Sequence, residues 1–130
     1  MGQQQLLLTI LVTIIVGIAS VVAINTFSSA ADSANLDAVR QDLAQIASSS
    51  QAYYIKPTML GGGGNSFATI TFPADSIRSG SLQADNPNGQ YLIGNRAAGS
   101  FTVTATPASG AVTSIVATVS ADNMTQVTNQ

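Results

Sequence analysis

The sequence predicts an α+β fold: a long N-terminal α-helix, hydrophobic in its first half and amphipathic in its second, packed on a small C-terminal antiparallel β-sheet. Three observations carry this. Leu6 to Ile24 reads LLLTILVTIIVGIASVVAI, and no charged residue occurs before Asp32. From Leu36 to Tyr53 apolar positions recur at steps of three and four. Beyond the glycines Gly61–Gly64 the pattern changes to short β-branched runs separated by turns rich in Pro, Asn and Gly.

The first element is a helix because its apolar run is long and unbroken. About 19 apolar residues cross a bilayer core as a helix, at about 1.5 Å per residue. Thr9, Thr13, Gly17 and Ser20 are the only interruptions. No Lys or Arg precedes the run, so the positive n-region of a signal peptide is missing, and the segment is expected to remain in the mature protein. The stripe Leu36, Val39, Leu43, Ile46, Ser50 and Tyr53 then marks an amphipathic continuation. Its other face carries Asp32, Asp37, Arg40, Gln41, Gln45 and Ser48. With no proline before Pro57, one helix of about 50 residues and about 75 Å is expected, ending near Lys56-Pro57. The chain thus divides into a hydrophobic helix at 1–30, its amphipathic extension at 31–56, a flexible Gly-rich linker at 57–65, and a β domain at 66–130.

Within that domain, Ser66–Phe72 (SFATITF) reads as a strand. Ser81–Ala84 and Gln90–Gly94 flank the hairpin turn Asp85-Asn86-Pro87-Asn88-Gly89. Ser100–Thr106 and Ala111–Ser120 bracket a second turn, Pro107-Ala108-Ser109-Gly110. Roughly four or five short strands form a thin sheet with too few large residues for two layers. The amphipathic half of the helix is its natural cover.

Composition narrows the function. Charged residues make up 8% of the chain, against roughly 25% in ordinary domains. Arg40, Lys56, Arg78 and Arg96 are scattered singly and the net charge is −2, so no nucleic-acid contact is expected. Without Cys or His, the common zinc sites, thiol nucleophiles and imidazole bases are excluded. Asp75, Asp85 and Asp122 fall in separate turns with no nucleophile–base pair beside them, so neither enzyme activity nor a cofactor is expected. The loop Asp85–Gly89 lacks the alternating acids and closing Glu of a calcium loop and reads as a turn. Asn123-Met124-Thr125 matches the N-x-T glycosylation pattern at Asn123, with a chance match as the competing reading.

Met1-Gly2-Gln3-Gln4-Gln5, the charge-free apolar run behind it, and the small sheet that follows together resemble the type IV pilin superfamily of bacterial pilins, type II secretion pseudopilins and archaeal pilins. The sequence-specific part of the likeness covers roughly the first 30 residues. The resemblance implies a structural subunit of an extracellular helical filament serving adhesion or motility. It implies a precursor held in the cytoplasmic membrane, cleaved by a prepilin peptidase, and extracted into the fibre by an assembly ATPase. Met1 is then the first mature residue, or cleavage follows Gly2 and leaves Gln3 first. Bacterial major pilins hold a Glu at the fifth mature position, which pairs with a neighbour's amine. Here that position is Gln5, or Leu7 under the alternative, so the ionic pairing is lost. A solvated cap is the rival reading of Gln3–Gln5. The helix also lacks the family's frequent internal proline, leaving Gly17 either to loosen the helix or to admit a close neighbour.

Filament-core packing is expected from Leu6, Leu7, Leu8, Ile10, Leu11, Val12, Ile14, Ile15, Val16, Gly17, Ile18, Val21, Val22 and Ile24, with Met1 and Gln5 at the processed, subunit-contacting end. Two other readings stand beside this one: a single-pass membrane protein displaying an adhesive β domain, and a type II secretion pseudopilin.

Overall fold

The computed structural model describes residues 2–72 and 82–130. The chain forms two compact units, Met1–Ser33 and Ala34–Gln130. One unbroken helix, α1 (Gly2–Ile55), supplies the described part of the first unit and the opening element of the second.

The second unit sets α1 against five strands: β1 (Gln83–Asn86), β2 (Gly89–Gly94), β3 (Ser100–Pro107), β4 (Ser114–Ser120) and β5 (Met124–Asn129). They lie in sequence order as one antiparallel sheet. The α+β architecture expected from the sequence is what the chain adopts. Strand alternation sorts the side chains. Phe101, Val103 and Ala105 of β3 point inward with Ile115, Ala117 and Val119 of β4, while Thr102, Thr104 and Thr118 point outward. The inward row meets Val39, Leu43 and Ala47 of α1 in one core. Burying each Val, Leu or Phe there contributes about 1.5–3 kcal/mol. Ser50, also on the buried stripe, is tolerated because its hydroxyl donates to the Ile46 carbonyl at 2.6 Å.

The helix ends at Ile55, just ahead of Lys56-Pro57, and a 3-10 turn (Thr58–Leu60) follows the proline. The glycines behind it are tied to the helix end. Gly63 N donates to Tyr53 O, Gly64 N to Lys56 O and Asn65 N to Tyr54 O, at 2.8–3.0 Å. Carbonyls that a helix C-terminus leaves unpaired are thereby satisfied. A methyl group at Gly62 or Gly63 would strike the Lys56 or Ser66 carbonyl oxygen, so only glycine lets the backbone come this close.

Ser66–Phe72 is not a strand. It forms an irregular turn that buries Phe67, Ile70 and Phe72. A one-sided strand cannot bury both Phe67 and Phe72, five positions apart on opposite faces. The Phe67 ring instead wedges between Tyr54 and Phe101, with centroid distances of 4.7 and 5.1 Å. Two connections and one strand also differ from the sequence reading. The first hairpin closes tightly: β1 and β2 run up to Pro87-Asn88, with Asn86 paired to Gly89. Neither turn residue has positive φ, so Pro87 sets an unprimed turn. The second connection is longer, because β4 starts at Ser114 rather than Ala111. A fifth strand forms at Met124–Asn129, where the sequence pattern gave no clear signal. Asp75, Arg78 and Ser81 lie outside the described residues.

Candidate functional site: an exposed apolar helix

The first unit is a helix with its apolar side chains turned outward in every direction. Leu6, Leu7, Leu8, Ile10, Leu11, Val12, Ile14, Ile15, Val16, Ile18, Val21, Val22 and Ile24 are each 51–68% exposed. A helix apolar all round belongs inside something, whether protein or lipid. By length and composition alone it is able to cross a membrane, a test that some soluble core helices and signal sequences also pass. No Asp, Glu, Lys or Arg interrupts the sleeve.

Its polar residues are neutralised from within. Thr9 donates its hydroxyl to Gln5 O, Thr13 to Thr9 O, and Ser20 to Val16 O, each at 2.8 Å. Thr26 and Ser33 do the same to Val22 O and Ser29 O. Each hydroxyl within Leu6–Ile24 therefore has a partner a single turn back, as a hydroxyl in an apolar surrounding needs. The outer surface is left to methyl and methylene groups. Nothing lies within 4 Å of where a Cβ would stand on Gly17, so the helix surface is open there. Phe27, 78% exposed, ends the sleeve beside the small side chains of Ala23 and Ala31. Gln5 lies in the first turns of α1, with its carbonyl taken by Thr9. Met1 lies outside the described residues.

The second unit carries a polar cluster that the sequence reading missed. Asp42 Oδ2 accepts from Tyr91 Oη at 2.6 Å, Asn88 Nδ2 at 2.8 Å and Asn86 Nδ2 at 2.9 Å. Seven residues earlier, Asn35 donates from Nδ2 to Asn88 O and accepts at Oδ1 from Ser109 N. Two residues on the edge of the helix stripe thus hold the turn before β2 and the turn after β3, which lie side by side at one end of the sheet. Burial pushes the Asp42 carboxyl up, but the hydrogen bonds from Tyr91, Asn88 and Asn86 outweigh it and the group titrates below its ordinary value. Burial and the adjacent carboxylate push the Tyr91 phenol well above its usual range. All these groups answer one another, which makes the cluster a clamp. The signal was there: Asn35, Asp42 and Ile46 follow the same helical spacing as the apolar stripe.

Asn123 is exposed in the turn before β5, with its Oδ1 accepting from Met124 N. Among the described residues no group of His, Cys, Asp and Glu gathers as a metal site requires. No family model, curated protein or solved structure matches the chain.

Proposed function

We propose that this chain is a pilin-like structural subunit, held in the cytoplasmic membrane by its first unit and then assembled into an extracellular helical filament whose core is that same segment. The observation that carries the reading is the charge-free sleeve Leu6–Ile24, with its side chains outward and its hydroxyls turned back into the helix. Burying on the order of 1,500 Å2 of such surface, at about 25 cal/mol per Å2, is worth tens of kcal/mol before entropy costs. Lipid supplies that burial before assembly. In the fibre, copies of the same sleeve supply it, and a contact between unlike patches repeats without closing. A prepilin peptidase and an assembly ATPase are the partners this route requires. The second unit supports the reading because it has its own core and presents an outer face rich in Thr and Ser.

Electron microscopy of material sheared from cells, with mass spectrometry of its main component, tests the proposal. Uniform fibres made of this chain are expected. Recovery of the chain only as a monomer in the detergent extract of membranes, with no fibre, overturns it in favour of a membrane-anchored display protein.

A further inference from the structure

The two edges of the sheet are built differently. β1 is four residues long, contains Asp85, and is fixed by Asn86, which donates to Asp42, with Pro87 directly behind it. Short length, charge and proline are the means by which proteins blunt a sheet edge. At the other edge β5 reads MTQVTN: six residues, no charge, no Pro and no Gly. Its pairing with β4 runs one-to-one from Ser114–Asn129 to Val119–Met124, so no bulge turns the edge away. Alternate residues of β5 therefore direct N–H and C=O groups outward, and among the described residues no strand pairs with them. Half of its residues, Thr125, Val127 and Thr128, are β-branched, and an uncharged run without Pro is the composition that can pair with itself.

We propose that β5 is an open pairing edge, occupied by β5 of a second copy of this chain in antiparallel register. The occupant follows from charge and from symmetry. An uncharged edge selects no acidic or basic peptide, whereas a second copy brings the same uncharged strand. That copy's other edge is the blunted β1, so β5 meets β5 about a twofold axis. A twofold contact closes on itself and joins only two chains. The subunit-to-subunit repeat of the filament proposed above must then use other surfaces, and β5 pairing joins one fibre to the next. That last consequence rests on the filament reading; the pairing itself does not.

The absence of cysteine makes the test direct. Single cysteines are placed at Thr125, Gln126, Val127 or Thr128 of the full-length chain, with Ala111→Cys in the β3–β4 loop as control, and the samples are oxidised mildly. About a residue is 3.3 Å of strand, so each step from the axis separates a cysteine from its copy by roughly 6.6 Å more. A disulfide needs Cα atoms within about 7 Å. The expected result is a sharp maximum of disulfide-linked dimer at one or two adjacent positions, about tenfold above Ala111→Cys, reduced about tenfold by Val127→Lys when the cysteine lies elsewhere in β5. Circular dichroism should show the Val127→Lys chain still folded, since Val127 is 60% exposed. A flat profile at control level overturns the pairing, and so does linkage at every outward position, the mark of parallel strands. Imaging the same preparations separates the two proposals. Fibres without the maximum sink only the pairing, and the maximum without fibres sinks only the filament.

Discussion

Val16 and Val39 lie in the same helix, yet the first is 57% exposed and the second is fully buried. Around Val39 a sheet covers one stripe, and the other faces keep Asp37, Arg40 and Gln41 toward water. Around Val16 there is no polar face at all. The two units also treat hydroxyls in opposite ways. Thr9 and Thr13 fold theirs back onto the helix carbonyls, while Thr102, Thr104 and Thr118 set theirs on the outer face of the sheet. One unit carries its apolar partner within itself; the other leaves its apolar side chains exposed. A residue's type therefore says less than whether its neighbours three and four positions away share its character.

The strongest way to break this contrast is to put a charge in the sleeve. Ile15→Asp places a carboxylate where neither lipid nor a packed copy can solvate it, at about 3 kcal/mol for a helix centre in a membrane. Loss of fibres and reduced recovery in the membrane fraction are expected, with the second unit unaltered by near-ultraviolet circular dichroism. Normal fibres from this variant would remove the sleeve from the assembly.

A matched pair of comparable size comes next. Leu43→Ala should cost about 2–5 kcal/mol of thermal stability, because Leu43 is fully buried and the cavity it leaves is enclosed by the sheet. Leu11→Ala makes the same chemical change at a side chain that is 54% exposed. It should leave the melting temperature of the second unit unmoved while weakening assembly. Equal melting shifts in both would mean that the sleeve contributes to the fold of the second unit.

Much of this division was legible before the structure. A charge-free run followed by a stripe at steps of three and four marked both the long helix and the face that a sheet covers. What escaped was set by contacts between distant residues. Ser66–Phe72 has the residues of a strand, but its aromatic side chains serve Tyr54 and Phe101 rather than a ladder. β5 mixes Met, Thr, Gln, Val and Asn, and becomes a strand because β4 offers it an edge. The sequence reading passed over Asp42, whose partner Tyr91 lies 49 positions later in the chain. The apolar sleeve needed no tertiary contact to be seen: the charge-free run is in the sequence, and its side chains are exposed in the structure.

Asp42→Asn tests the clamp within the second unit. Replacing an acceptor of three hydrogen bonds should destabilise the unit by about 1–3 kcal/mol at neutral pH. The wild-type chain should also carry a matching pH dependence. The folded carboxyl titrates below its ordinary value of 3.8, so its contribution is present above that pH and lost as pH falls through the lower folded value. The Tyr91 phenol is raised above its ordinary value of 10, so its contribution holds below pH 10 and is lost as pH rises further. Asn at position 42 should flatten the acid limb of the stability profile. An unchanged acid limb would mean that the clamp does not act through the ionised Asp42.

The smallest effect expected is also the most specific to the sleeve. Thr13→Val keeps the shape of the side chain and removes a hydroxyl that donates only to Thr9 O, within the same helix. If the outer surface of the sleeve is apolar in effect as well as in composition, that hydroxyl reaches no neighbour, and assembly should change by less than about 0.5 kcal/mol. Thr13→Asn is the useful opposite, because its amide is too large to be satisfied by one carbonyl a turn away and should weaken fibres measurably. Critical concentrations for assembly of the two variants, compared with wild type, give the answer. A clear defect in Thr13→Val would show the hydroxyl turned outward to a neighbouring subunit, and the sleeve would then recognise its copies by hydrogen bonds as well as by apolar burial.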